Sequence, residues 1–90
     1  MSGKLTVSQT IHDKLTVAFQ PLSLEIIDES EQHRGHGGWR EGGETHFRVV
    51  MKAKAMAGMN RVSRSRAVHK ALADELSGPV HALALELSAP

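Results

Sequence analysis

The chain has 90 residues, no cysteine and a formal net charge of +1 at pH 7. This length allows one domain with a small core, and the lack of cysteine excludes disulfides and thiolate metal sites within the chain. The charge is too balanced to indicate nucleic-acid binding by itself, and no apolar run approaches the roughly 18 residues of a membrane span. Since the first residues also lack the apolar part of a secretory signal, we expect one cytoplasmic domain, residues 1–90, with no membrane association.

The first predicted element is a helix that begins after Thr6. The spacing of Thr6 and Gln9 matches a capping box, in which each side chain satisfies a backbone N–H of the other residue. Pro21 ends the helix because the residue before a proline is displaced from helical backbone geometry. Between these signals, apolar residues recur at helical spacing: Val7, Ile11, Leu15 and Ala18.

Two segments in which polar and apolar residues alternate follow, at residues 22–30 and 44–52. A period of two is typical of strands that bury one face. In the first segment the shared apolar face consists of Leu22, Leu24 and Ile26. In the second segment it consists of Phe47, Val49 and Met51 and continues to Ala53. We therefore predict two half-buried strands.

The segment that joins these strands, residues 31–43, contains five of the eight glycines, His33, His36 and the only tryptophan. A hairpin usually closes in about 2–5 residues. A flexible connection this long in a short chain is either disordered or kept for a function.

A helical connection to a third strand is predicted after the second strand. The pattern is interrupted near Asn60, so the connection is read as two pieces, a short one around Arg61 and a longer one from about Ser65. Ser77-Gly78-Pro79 ends the helical part, because glycine and then proline commonly follow the last turn of a helix. The apolar stripe of the longer piece consists of Val68, Ala71, Leu72 and Leu76.

The third strand is predicted at residues 80–87, where one face carries His81 and three leucines. Strands one and two should pair antiparallel, whereas a helical crossover normally makes strands two and three parallel. The third strand must then begin at the end of the sheet where residues 31–43 join strand two. This topology predicts that four histidines converge there: His33, His36, His46 and His81.

Imidazoles gathered in this way could bind a metal. Neutral imidazole suits zinc, copper, iron and nickel, and histidine replaces cysteine on one iron of some [2Fe–2S] centres. Without thiolates, we expect half of a site that is shared with a partner rather than a closed structural site. The alternative is that the loop histidines are solvated and that His81 is a hydrogen-bonded residue at the edge of the core.

The residues also bear on two other function classes, catalysis and nucleic-acid binding. No Ser/His/Asp or Cys/His arrangement and no glycine-rich phosphate loop is present, so we expect a protein that is not an enzyme. A basic cluster could contact an anionic partner such as DNA, but the lack of aromatic stacking residues favours a solvated helix face. The cluster consists of Arg61, Arg64, Arg66 and Lys70.

The segments LEIIDES, HRGH, ETHFRVVM and LADELSGPVHALAL, in this order and spacing, resemble the BolA family. The resemblance covers nearly the whole chain. It departs from the family at Met56, where an aromatic residue is usual, and at Arg64-Ser65-Arg66, where the family usually has R-H-R.

This resemblance implies an α+β fold of the order αββααβ, a type II KH-like sandwich with helices packed on one face of a three-stranded mixed sheet. It implies a monothiol glutaredoxin as partner, with a [2Fe–2S] cluster held between the two proteins and absent from the isolated chain, which would be a monomer. The glutaredoxin cysteine and glutathione would bind one side of the cluster. His81 and either His33 or His36 would bind the other, while His46 would be structural.

The implied role is iron–sulfur cluster trafficking or iron and redox sensing, within iron homeostasis and the stress response. Members of the family are also described as transcriptional regulators. The alternative implied role is therefore DNA binding through the KH-like fold and the basic cluster.

Overall fold

The computed structural model describes residues 6–30 and 44–90. Helices and strands follow one another in the predicted order αββααβ, which gives an α+β fold. The elements are α1 (Val7–Phe19), β1 (Ser23–Asp28), β2 (His46–Lys52), a short 3₁₀ helix (Lys54–Met56), α2 (Arg61–Ala71), α3 (Ala73–Leu76) and β3 (Ala82–Ser88). Within these residues, no helix is both long enough and apolar enough to cross a lipid bilayer.

The three strands form one sheet in the order β1-β2-β3. β1 pairs antiparallel with β2, and β2 pairs parallel with β3. Both pairings were predicted from the connections, because a helical crossover returns the chain to the sheet in the same direction. In the parallel register His46 lies opposite Ala82, so β2 and β3 begin at the same end of the sheet.

The core lies between one face of the sheet and the helices. The predicted alternation in β2 is confirmed, since Phe47, Val49 and Met51 are at most 1% exposed. Each fully buried side chain of this size contributes roughly 1.5–3 kcal/mol relative to exposure. The other buried apolar residues are Ile11, Leu15, Ala53, Met56, Val68, Leu72 and Val80.

Helix α1 begins as the capping box predicts. The Thr6 hydroxyl accepts the N–H of Gln9 at 3.0 Å, and the Gln9 amide oxygen accepts the N–H of Thr6 at 2.8 Å. The apolar stripe of α1 ends at Phe19 and not at the predicted Ala18, because Phe19 packs against the core whereas Ala18 is exposed. Phe19 is four residues after Leu15, so it falls closer to the buried side of a helix with 3.6 residues per turn.

Three predicted boundaries are wrong. Leu22 precedes β1 and is 58% exposed, so it does not share the buried face of Leu24. Helix α2 is continuous from Arg61 to Ala71 instead of being divided near Ser65. Asn60 marks its start, because the Asn60 side chain accepts the N–H of Ser63 at 2.8 Å and caps the helix. The helical break falls at Leu72, and β3 starts at Ala82, so His81 precedes the strand instead of lying within it.

Candidate functional site

His81 lies directly beside the point where the chain enters β2. Its backbone N–H donates to the carbonyl oxygen of Thr45 at 2.7 Å, and the N–H of Ala82 donates to the same oxygen at 3.2 Å. Thr45 lies two residues after the segment 31–43. The topological prediction is therefore confirmed: the chain enters β3 alongside the return of this segment to the sheet.

The side chains of His46 and His81 are neighbours, with ring centroids 5.3 Å apart and ring planes tilted by 51°. His46 is only 4% exposed, whereas His81 is exposed. Two of the four histidines that the sequence predicted to converge are thus brought together. His33 and His36 lie outside the described residues, so their predicted roles stay predictions.

The residues that flank the segment 31–43 on its two sides are joined through the Asp28 carboxylate. Its Oδ1 accepts the hydroxyl of Ser30 at 2.5 Å and the backbone N–H of Ser30 at 2.9 Å. Its Oδ2 accepts the backbone N–H of Glu44 at 2.9 Å. Asp28 ends β1, so a single side chain ties the exit of β1 to the approach to β2.

Two buried hydroxyls continue this connection to His46. The Ser30 oxygen accepts the N–H of Thr45 at 3.0 Å and the N–H of His46 at 3.2 Å. The Thr45 hydroxyl lies 3.2 Å from the Ser30 oxygen and 2.8 Å from Nδ1 of His46. Ser30 and Thr45 are each 1% exposed. We refer to the side chains of Asp28, Ser30, Thr45 and His46 as the tetrad.

The Asp28 carboxyl is held in its charged form. Burial acts to raise its pKa, but the hydrogen bonds from the Ser30 hydroxyl and from the N–H groups of Ser30 and Glu44 outweigh burial. The net result is a pKa below the ordinary value for aspartate. Asp28 therefore acts only as a hydrogen-bond acceptor at neutral pH.

Sequence reasoning did not identify Ser30 and Thr45. Their hydroxyls are 15 residues apart in sequence and meet only because β1 and β2 pair. Sequence reasoning also treated His46 as structural, which its burial and its contact with Thr45 support. The one sequence signal was the short polar run that ends β1.

Within residues 6–30 and 44–90, no group of three or more histidine, aspartate or glutamate side chains is arranged to hold a metal ion. At the start of β3 the described imidazoles are those of His46 and His81. Two nitrogen donors without a third fit an incomplete site, which other ligands must complete.

The predicted basic cluster is divided by the fold. Arg64 is half-buried, and its guanidinium donates to the carbonyl oxygens of Met56 at 3.1 Å and Leu87 at 3.3 Å. The other three basic side chains are exposed. Arg61 and Arg64 line one wall of a groove of about 560 Å³ between α2 and β3, with leucines of β3 opposite.

Comparison with known proteins identifies relatives along nearly the whole chain. The family model described as BolA-like protein matches residues 15–90. A Sinorhizobium protein, described as an uncharacterized protein in the cobS 5′ region, is 47% identical over 87 residues, which cover 96% of this chain and 94% of that protein. The DNA-binding transcriptional regulator BolA of Escherichia coli K12 is 41% identical over 81 residues, which cover 90% of this chain and 73% of the regulator.

The fold comparison agrees with the sequence comparison. The BolA domain of SufE1 from Arabidopsis thaliana superposes with a TM-score of 0.86 at 34% identity, covering 98% of this chain and 96% of that domain. The mixed sheet, the helical crossover and the residue match all lead to the same assignment. The chain belongs to the BolA-like family.

Proposed function

We propose that this BolA-like chain is an adaptor that binds a monothiol glutaredoxin and shares a [2Fe–2S] cluster with it, in iron–sulfur trafficking or iron and redox sensing. The observation that carries the proposal is the position of His81 beside Thr45, where residues 31–43 rejoin the sheet. A histidine from the start of β3 and one from elsewhere at this end of the sheet can then approach the same iron.

The donor set supports a shared cluster. The chain has imidazoles here but no cysteine, so the thiolates must come from the glutaredoxin cysteine and from glutathione. His81 is one proposed ligand of this chain, and the sequence predicts His33 or His36 as the other. When bound, the cluster supplies a redox-active iron centre whose reduction potential histidine ligation raises.

Small side chains of β3 lie next to His81 among the described residues. Ala82 and Ala84 present only methyl groups beside a shallow pocket of about 290 Å³ that His46 and Arg48 also line. His81 and Ala82 are both exposed among the described residues, so a partner surface placed here would contact them.

The proposal is tested by mixing the purified chain with cluster-loaded monothiol glutaredoxin and glutathione. We expect a change in visible absorption and circular dichroism, and we expect His81→Ala to abolish it. His12→Ala is a matched control, because His12 is an exposed histidine on α1. If the His81→Ala chain gives the wild-type spectrum, His81 is not a ligand. If the wild-type chain causes no change, the shared cluster is wrong.

A second candidate function, DNA binding, is supported by the name of the Escherichia coli relative and by the exposed basic residues of α2. It predicts affinity that falls with salt and that weakens uniformly across DNA sequences when phosphate contacts are removed. Fluorescence anisotropy with Arg61→Ala, Arg66→Ala and Lys70→Ala tests it. Affinity that is unchanged in the triple variant contradicts this candidate.

A further inference from the structure

We propose that the outer edge of β3 is a docking site for an extended segment of a partner protein, which joins the sheet as a further strand and carries acidic as well as apolar side chains. The segment would lie in the groove of about 560 Å³ between α2 and β3. His81 is not among the described residues that line this groove, so the inference does not depend on the proposed function.

β3 is an edge strand, because among the described residues it pairs only with β2. In a parallel pair, alternate residues of each strand direct their backbone groups to the neighbouring strand. The N–H of Ala82 donates to the carbonyl oxygen of Thr45, and the carbonyl oxygen of Ser88 accepts the N–H of Ala53. The even-numbered residues of β3 therefore bond to β2. The backbone groups that point away from β2 are those of Leu83, Leu85 and Leu87.

Arg64 covers only one end of this outward edge, where its guanidinium donates to the carbonyl oxygen of Leu87 at 3.3 Å. Within residues 6–30 and 44–90, no hydrogen bond reaches the backbone N–H or carbonyl oxygen of Leu83 or Leu85. A row of unpaired backbone groups on an edge strand is a template for pairing with another strand.

The groove has the length of a short extended peptide. Its apolar wall runs from Leu83 to Leu87, which is roughly 13 Å at about 3.3 Å per residue. The opposite wall follows one stripe of α2 from Arg61 to His69, about 12 Å at 1.5 Å per residue. Side chains of both walls line the same groove. An added strand of about five residues can thus place every second side chain between the two walls.

The helical wall favours an acidic segment. Arg61 is exposed and lines the groove. Glu86 also lines it, but its carboxylate accepts a hydrogen bond from Arg48 at 2.9 Å. An acidic partner therefore complements the groove. A second copy of this chain would instead bring together two α2 helices that carry basic and no acidic residues.

The groove suits a peptide better than a nucleic acid. Proteins that bind single-stranded nucleic acids stack the bases on aromatic side chains, whereas the apolar wall here consists of leucines. In strand addition, backbone hydrogen bonds supply the affinity and pockets for alternate side chains supply the specificity. The edge of β3 and the leucine wall provide these two features.

The test uses the wild-type chain and the synthetic peptide acetyl-TETLTET-amide. Its leucine and both glutamates fall on one face of a strand, and a glutamate at each end allows either strand direction to reach Arg61. Amide hydrogen exchange is followed by NMR at millimolar peptide. We expect slower exchange at the outward amides of Leu83 and Leu85. The amides of Ala84 and Glu86, which already donate to β2, should change little. No binding, or binding with unchanged exchange at Leu83 and Leu85, overturns the proposal.

Two kinds of modified peptide distinguish strand addition from general adhesion. The isomer acetyl-TTELETT-amide has the same composition but places its glutamates on the face opposite the leucine, so it should bind at least about threefold more weakly. N-methylation of the odd-numbered residues blocks one edge of the peptide, and N-methylation of the even-numbered residues blocks the other. One of these two peptides should lose roughly tenfold in affinity while the other keeps it. Loss in both or in neither overturns the strand pairing.

Matched variants test the basic wall. Arg61→Ala should weaken peptide binding about threefold, the effect of an exposed ion pair. Arg66→Ala should bind like wild type, because Arg66 is an exposed arginine of the same helix that does not line the groove. Equal effects of the two variants contradict the acidic preference. If the peptide does not bind and both variants weaken binding of single-stranded DNA, the groove serves nucleic acid and the proposal is wrong.

Discussion

The hydroxyl of Ser30 lies 2.5 Å from Oδ1 of Asp28, and the Ser30 oxygen accepts the backbone N–H groups of Thr45 and His46. One buried oxygen thus connects the end of β1 to the start of β2 across the long segment 31–43. A hairpin loop of this length costs more entropy to close than a tight turn. Fixed polar contacts at its base offset part of that cost.

Replacement of Ser30 by alanine should destabilise the fold by about 2 kcal/mol, because two backbone N–H groups lose their buried acceptor. The loss is measured as the change in free energy of unfolding in urea. Ser23→Ala is the control, since Ser23 is an exposed serine on β1, and its effect should stay within about 0.5 kcal/mol. Equal effects of the two substitutions would contradict the role of the Ser30 hydroxyl.

The depressed pKa of Asp28 predicts an acid-sensitive contribution to stability. A carboxyl whose pKa is lower in the folded state than in the unfolded state stabilises the protein above the unfolded value of about 3.8. That contribution is lost as pH falls through the lower folded-state pKa. Asp28→Asn should therefore have a shallower decline in unfolding free energy between pH 5 and pH 2, roughly the window of this titration.

The second variant for this prediction is Ser30→Ala, which removes a hydrogen bond that holds the Asp28 carboxyl charged. It should also flatten the acid dependence, although less than Asp28→Asn. If both variants follow the wild-type slope, the hydrogen bonds of Asp28 do not favour its charged form.

Much of the fold could be predicted because its signals are local. The capping box of Thr6 and the alternation of Phe47, Val49 and Met51 are short-range patterns, and the crossover then dictates the parallel pairing of β2 and β3. The position of His81 beside Thr45 follows from that pairing alone.

The tetrad could not be predicted, for a physical reason. Each of its side chains is an ordinary polar residue in sequence, and its hydrogen bonds depend on the register between β1 and β2 and on side-chain orientation. The role of Arg64 was missed for the same reason, because its acceptors, Met56 and Leu87, are brought together only by packing of α2 on the sheet edge.

Glu44, which precedes β2, connects the base of the segment 31–43 to the start of α1. Its φ of 64° is in the left-handed region, and its carboxylate oxygens lie 3.3 Å from the N–H groups of Val7 and Ser8. A carboxylate at a helix N-terminus is stabilising, but the backbone conformation favours glycine. Glu44→Ala should cost about 1 kcal/mol, since it loses the carboxylate and keeps the strained backbone.

The matched variant is Glu44→Gly, which loses the same carboxylate but adopts the positive φ without strain. It should be more stable than Glu44→Ala by about 0.5–1 kcal/mol in thermal or urea unfolding. An alanine variant at least as stable as the glycine variant would show that the backbone at residue 44 is not strained.

Arg64 should matter for stability and not for binding to an anionic partner. Its guanidinium bridges the carbonyl oxygens of Met56 and Leu87, one before α2 and one in β3, so Arg64→Ala should cost about 1–2 kcal/mol in unfolding free energy. Arg64→Lys should not restore the loss, because a lysine ammonium lacks the planar fork that reaches two acceptors at once. Arg66→Ala is the matched control, since Arg66 is an exposed arginine of the same helix and its loss should change stability by less than about 0.5 kcal/mol. If Arg64→Ala unfolds like wild type but weakens DNA binding more than Arg66→Ala does, then the guanidinium serves a nucleic-acid interface instead of the sheet edge.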